Sequence, residues 1–190
     1  MNFANKISVF RILSVPFFIA CIVYYSPEDR EYLRWVALGI FCLAVISDAV
    51  DGYIARVSKQ ISKAGAVLDP LGDKLLLISS FICLFLRQDF PQEIYFPIWV
   101  TLIVISRDVL ILLGAVVIFM VKQNLNVSPT IWGKLTTTFQ MFAVIGVLLQ
   151  LSFSPVLWWL AVIFTIISGV DYIMKGFKIL YAVDNSRNNH

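Results

Sequence analysis

The sequence predicts an all-α integral membrane protein with six transmembrane helices and a short interfacial segment at its N-terminus. Of the 190 residues, 59% are hydrophobic and only 14% are charged, whereas soluble domains are about half apolar and a quarter charged. The mean hydropathy of +0.85 agrees with this class. Apolar runs of the length that a helix needs to cross a bilayer recur along the chain. The length is sufficient for a single membrane domain over residues 1–190 and little else.

Each predicted span is an apolar run bounded by polar or proline-containing segments. The first run contains Pro16 and follows a polar N-terminal segment, and the fourth contains Arg107 and Asp108 near its middle. A polar tail follows Ala182. The only histidine is His190, so neither a zinc site nor histidine acid–base chemistry is expected. The predicted spans cover residues 7–25, 35–54, 65–86, 96–121, 134–151 and 156–173.

The distribution of basic residues predicts the orientation of these spans. If the N-terminus is cytoplasmic, most lysines and arginines near the span ends fall on the cytoplasmic face. The opposite face then holds only Arg30, Arg34 and Arg87, and nearby acidic residues offset their positive charge. Six spans therefore predict that both termini are cytoplasmic.

Residues 48–73 carry four aspartates at helical spacing, near the end of the second span and the start of the third. The stretch reads D-A-V-D-G-Y-I-A-R at 48–56 and G-A-V-L-D-P-L-G-D at 65–73. Because residues three or four apart share a helix face, Asp48 aligns with Asp51, and Asp69 aligns with Asp73. Two helices joined by a short connection would bring the four carboxylates together, and such a cluster requires a counter-ion. Oxygen ligands favour Mg²⁺, Mn²⁺ or Ca²⁺.

These acids could instead be helix caps or solvated turn residues. Their apolar surroundings argue against this, because ionisable groups within membrane segments are costly and usually functional. Gly52 and Gly65 also leave room for a ligand to approach the backbone. Arg56 could anchor a span end at the membrane surface, or its planar guanidinium could bind phosphate.

The pattern D-x2-D-G-x2-A-R-x8-G-x3-D-x3-D is matched at every fixed position and resembles the signature of the CDP-alcohol phosphotransferases, membrane enzymes of phospholipid synthesis. The resemblance implies a six-helix fold, usually a homodimer, and two divalent ions, Mg²⁺ or Mn²⁺. It implies that Asp48, Asp51 and Asp69 bind metal. Asp73 would help to bind metal and act as the catalytic base. The implied CDP-binding residues are Asp51, Gly52, Ala55, Arg56 and Gly65.

The implied reaction takes place at the cytoplasmic face of the inner or plasma membrane. The acceptor hydroxyl attacks the β-phosphorus of CDP-diacylglycerol, and CMP leaves. Residues 128–140 resemble the P-x-x-x-G-K-x-x-T-x-x-Q region of bacterial phosphatidylglycerolphosphate synthases, which implies glycerol 3-phosphate as the acceptor. However, Arg107-Asp108 resembles the Arg-Asp pair of cardiolipin synthases, which use phosphatidylglycerol. The predicted acceptor-binding residues are Lys134, Arg107 and Arg11.

Lys134 is the stronger of these assignments. Arg107 could equally form a buried ion pair with Asp108, and it reaches the site only if the fourth span extends well past the carboxylates. Two alternatives to an enzyme are a divalent-cation transporter and a non-catalytic membrane scaffold. Acids in transporters usually lie near the bilayer midplane at broken helices, whereas these lie close to one face. No nucleic-acid partner is expected.

Overall fold

Six helices make up the described part of the protein in this computed structural model. The structure describes residues 3–58, 65–90, 94–122 and 131–187, with side chains described at 10–50, 72, 74–90, 94–111, 113–114 and 131–176. No strand occurs within these ranges. The helices are α1 (Phe3–Val23), α2 (Tyr32–Ser58), α3 (Gly65–Leu86), α4 (Ile98–Lys122), α5 (Ile131–Leu148) and α6 (Ser154–Arg187).

The six predicted apolar runs correspond to these six helices, and the largest difference is at the end of α6. The predicted sixth span ends at residue 173, but α6 continues to Arg187 through the segment predicted as a polar tail. A helix that is already nucleated can extend into water at little cost. The Lys175 ammonium and the Asp171 carboxylate, one turn apart, form an ion pair of 2.8 Å that supports this extension.

The helices are apolar enough for a membrane protein. Three stretches within the described residues are long and apolar enough to cross a bilayer: Tyr32–Val50, Ile131–Leu148 and Ser154–Gly176. Two shorter apolar stretches, Phe10–Val23 and Lys74–Leu86, accompany them. Large apolar side chains cover much of the outer surface, as expected for contact with lipid. The all-helical class is therefore confirmed, and the crossing of the bilayer by all six helices stays a prediction.

The connections after α1, α3 and α5 meet at one end of the bundle, which we call the far end. Arg87, just after α3, donates from Nε to the Ile22 carbonyl at 3.0 Å and from Nη2 to the Val23 carbonyl. Gln150, just after α5, donates from Nε2 to the Ile94 carbonyl at 2.8 Å. Gln150 has a φ of 55°, the left-handed conformation common at helix C-termini. These contacts satisfy carbonyls that the helix and loop backbone leave unpaired.

Aromatic and aliphatic side chains fill the bundle. The Phe81 ring of α3 stacks on Phe96 with 4.3 Å between centroids, and Phe18 of α1 lies 6.0 Å from Phe41 of α2. All four are fully buried. Helix α1 packs against α2 and α3, α6 packs against α4 and α5, and α3 contacts both α4 and α5. The end of α2 and the start of α3, which we call the motif end, are thus bordered by α1 and by the α4–α6 group.

Candidate active site

The backbone places the four motif aspartates on two neighbouring helices. Asp48 and Asp51 lie in the last three turns of α2, and Asp69 and Asp73 lie in the first three turns of α3. Each pair keeps the spacing that puts two residues on one helix face, and α2 contacts α3. Among these acids the side chain is described only for Asp48. The other predicted motif residues lie outside the described side chains: Asp51, Gly52, Ala55, Arg56, Gly65, Asp69 and Asp73.

Asp48 forms an ion pair with Arg11 of α1. The Arg11 Nη2 atom lies 2.8 Å from the Asp48 Oδ1 atom. The Arg11 side chain is 1% exposed and that of Asp48 is 35% exposed, so the arginine lies inside the bundle and the carboxylate at its border. The Ser14 hydroxyl donates to the Arg11 carbonyl at 2.6 Å. The pair borders a small cavity whose other lining residues are Phe41, Ala44, Val45, Leu76, Leu77 and Met141.

A second set of charges lies directly beside the motif and joins three helices. Lys74 Nζ and Arg107 Nη1 both donate to Asp108 Oδ1, at 2.5 and 2.7 Å. Arg107 Nη2 donates to the Ser168 hydroxyl of α6 at 2.6 Å. Arg107, Asp108 and Ser168 are buried, and Lys74 is partly exposed. We call these four residues the α3–α4–α6 cluster.

The cluster brings Arg107 to the depth of the motif. Lys74 follows Asp73 in the chain and contacts Asp108, so Arg107 lies level with the last motif aspartate. Fourteen residues separate Asp108 from the end of α4, whereas nine separate Lys74 from the start of α3. At a rise of about 1.5 Å per residue, α4 extends roughly 8 Å beyond the start of α3. Arg107 also forms the buried pair with Asp108, and its contact with an acceptor stays a prediction.

The start of α5 presents Lys134 outward. Lys134 is exposed in the first turn of α5, and among the described residues its amino group makes no ion pair. The Thr136 hydroxyl contacts the carbonyls of Trp132 and Phe164 at 2.9 and 2.8 Å, which fastens α5 to α6. Deeper in the bundle, Gln140 Nε2 contacts the Thr165 hydroxyl at 3.3 Å. The polar residues after Lys134 therefore fix the helix on which this lysine is displayed.

Three members of the α3–α4–α6 cluster were not among the predicted site residues, and one of them, Asp108, was considered only as a buried ion-pair partner of Arg107. Lys74 had a sequence signal, because it is a charged residue inside an apolar run and directly follows a motif aspartate. Ser168 had none, since a serine in a membrane helix commonly bonds to its own backbone. Its role depends on the packing of α6 against α4, which only the structure gives.

The donor set at the motif end suits a hard divalent cation. Carboxylate oxygens are the ligands that Mg²⁺ and Mn²⁺ prefer, and the motif supplies four carboxylates on adjacent helices. The described carboxylate, Asp48, already has a cationic partner in Arg11 and is partly open to solvent. Within the described side chains no group of three or more metal-ligating residues is present. The fit therefore rests on the chemistry of the motif and on its placement.

Comparisons with known proteins agree with the site chemistry. A family model of the CDP-alcohol phosphatidyltransferases matches residues 1–167. A Mycobacterium tuberculosis protein named "Probable phosphatidylglycerophosphate synthase" is 31% identical over 93% of this chain and 82% of its own length. Proteins named "CDP-diacylglycerol--glycerol-3-phosphate 3-phosphatidyltransferase" are also similar. The Aquifex aeolicus protein is 30% identical, covering 95% of this chain and 99% of its own, and the Bacillus subtilis protein is 29% identical, covering 94% and 97%.

Proposed function

Because this chain belongs to the CDP-alcohol phosphatidyltransferase family, we propose that it transfers a phosphatidyl group from CDP-diacylglycerol to glycerol 3-phosphate. The products are phosphatidylglycerol phosphate and CMP. Relatives whose names state this activity are similar over more than nine-tenths of the chain. The observation that carries the proposal is the placement of the four-aspartate motif on adjacent helices beside the α3–α4–α6 cluster, which contains two cations.

The motif aspartates are the proposed holders of two divalent ions. Asp48, Asp51, Asp69 and Asp73 supply hard oxygen ligands, for which Mg²⁺ or Mn²⁺ is the expected partner. When bound, such ions neutralise the charge of the pyrophosphate and stabilise the departing phosphate. Asp51 is also a proposed contact for CDP, together with four further motif residues: Gly52, Ala55, Arg56 and Gly65.

Asp73 is the proposed general base. Its carboxylate takes the proton of the acceptor hydroxyl, whose oxygen then forms a bond to the β-phosphorus that carries the diacylglycerol. The bond between this phosphorus and the oxygen of the CMP phosphate breaks, and CMP leaves with the electron pair. Asp73 lies in α3 one residue before Lys74, which is held by Asp108 of α4. The contact between Lys74 and Asp108 holds α3 against α4, which supports a fixed position for the neighbouring general base Asp73.

The phosphate of the acceptor is the proposed ligand of Arg107 and Lys134. A doubly charged phosphate needs more positive charge than a neutral alcohol, and the α3–α4–α6 cluster has two cations for one carboxylate. Asp108 and Ser168 hold two nitrogen atoms of the Arg107 guanidinium, which orients this group. Lys134 lies exposed at the start of α5, where it can move toward an acceptor that enters from solvent.

The protein acts in a membrane. Six spans, both termini in the cytoplasm and a site that faces the cytoplasm are the arrangement we propose, because basic residues concentrate near the motif end. CDP-diacylglycerol would enter from the bilayer and glycerol 3-phosphate from the cytoplasm. A homodimer is the proposed assembly.

Turnover by purified protein tests the proposed function. Radiolabelled CDP-diacylglycerol in nanodiscs is offered with glycerol 3-phosphate, with phosphatidylglycerol and with neither, each with Mg²⁺ and with EDTA. We expect labelled phosphatidylglycerol phosphate only when glycerol 3-phosphate and Mg²⁺ are both present. Cardiolipin formed from phosphatidylglycerol would instead identify a cardiolipin synthase.

A second experiment with the purified protein distinguishes an enzyme from a transporter. Protein reconstituted in sealed vesicles with an internal Mn²⁺-sensitive dye should leave the dye signal unchanged. If no acceptor supports turnover and Mn²⁺ enters the vesicles, the protein is a divalent-cation transporter and the proposed enzyme activity is wrong.

A further inference from the structure

We propose that Arg11 is the resident counter-ion of the acidic motif, a positioning residue that holds Asp48 and sets how tightly the motif binds a divalent cation. The inference rests on the metal site of the proposed function and goes beyond it, because it assigns Arg11 to this site and away from the acceptor. It starts from the ion pair of 2.8 Å between Arg11 and Asp48.

Burial makes Arg11 a fixed charge. Its side chain is 1% exposed, and it reaches Asp48 from within the bundle, whereas Asp48 is open to solvent at 35%. The remaining lining of the adjacent cavity is apolar, with residues from α2, α3 and α5. Arginine carries a guanidinium with five N–H donors and no acceptor. Arg11 therefore brings one positive charge to the inner side of Asp48.

This positive charge has two opposing effects on the motif. In the metal-free protein it reduces repulsion among the carboxylates, so that the end of α2 can stay beside α3. When a divalent cation binds, the guanidinium repels it and competes for the oxygen atoms of Asp48. Arg11 thus stabilises the metal-free protein and weakens cation binding, which keeps metal exchange possible at the site. A purely structural arginine would have only the first effect.

Mn²⁺ titration of purified protein, followed by electron paramagnetic resonance without substrate, tests this role. Arg11→Gln removes the charge, and Arg11→Lys keeps it. We expect the Mn²⁺ dissociation constant of Arg11→Gln to fall roughly tenfold, which is the effect of removing a unit charge about 6 Å from a divalent ion in water. Arg11→Lys should remain within about threefold of the wild type. In EDTA, Arg11→Gln should melt below the wild type, and added Mn²⁺ should raise its melting temperature more than that of the wild type.

Arg34→Gln is the matched control. Arg34 is also buried and forms an ion pair of 2.9 Å with Glu31, but it belongs to α2 near the far end. Its loss should lower the melting temperature and leave the Mn²⁺ dissociation constant unchanged. Equal or weaker Mn²⁺ binding by Arg11→Gln, with normal binding by the wild type, would overturn the role of Arg11 alone. A wild type that binds no Mn²⁺ would overturn the metal site and this inference together.

Discussion

Replacing Asp108 by asparagine tests the energetic role of the α3–α4–α6 cluster. The Asp108 side chain is 2% exposed and accepts from Lys74 and Arg107 through one oxygen atom. Removal of one partner of a buried ion pair costs about 3–5 kcal/mol. Asparagine keeps an oxygen in place, and Lys74 is partly exposed, so we expect the low end, about 3 kcal/mol. For a chain of this size that lowers the melting temperature by roughly 6–12 °C.

Thermal unfolding in nanodiscs, followed by tryptophan fluorescence, measures this change. Asp171→Asn is the control, because Asp171 pairs with the exposed Lys175 on the same helix. Such exposed pairs contribute about 0.5 kcal/mol, so the control should melt within about 2 °C of the wild type. In a Lys74→Met background Asp108→Asn should cost less, because one of the two contacts is already absent. Equal melting temperatures for Asp108→Asn and the wild type would refute the argument.

Three further variants separate the proposed roles. Asp73→Asn should lose turnover by about 10²–10⁴-fold while still binding CDP-diacylglycerol, since asparagine cannot take the proton; near-normal turnover would assign the base elsewhere. Lys134→Ala should raise the KM for glycerol 3-phosphate far more than that for CDP-diacylglycerol, and an unchanged acceptor KM would remove it from the site. Gly114→Ala should lower the melting temperature, because a Cβ there would lie 2.7 Å from the Tyr172 ring. Gly39→Ala is its control, because no neighbouring helix or side chain among the described residues lies within 4 Å of the new Cβ; it should melt no lower than the wild type, since alanine is the better helix former.

The number and approximate positions of the described helices follow from the sequence because each helix coincides with an apolar run. The start of α3 at Gly65 and its end at Leu86 match the predicted span at both ends. The end of α6 does not match, since hydropathy detects where a helix leaves the membrane and not where its hydrogen bonds stop. The apolar stretch ends at Gly176, but the next eleven residues of α6 continue the helix.

The contacts around the motif are less predictable than its helices. Spacing alone puts Asp48 and Asp51 on one face of α2, because that relation is local. The ion pairs Arg11–Asp48 and Lys74–Asp108 join different helices, and they depend on how far each helix slides along its neighbour. A shift of one turn, about 5.4 Å, would separate either pair. Sequence pattern does not report such shifts.

The bonds from Arg87 to the last carbonyls of α1 can form only after α3 has been synthesised. Arg87 is made 65 residues after Ile22, so the end of α1 depends on water or lipid headgroups until α3 has been synthesised. The first three helices can then close together before α4 emerges. If α4 enters the bilayer after α3, the carboxylate of Asp108 finds its partner Lys74 on a helix that has already been synthesised. Pairing with Lys74 would then lower the cost of inserting the charges of α4.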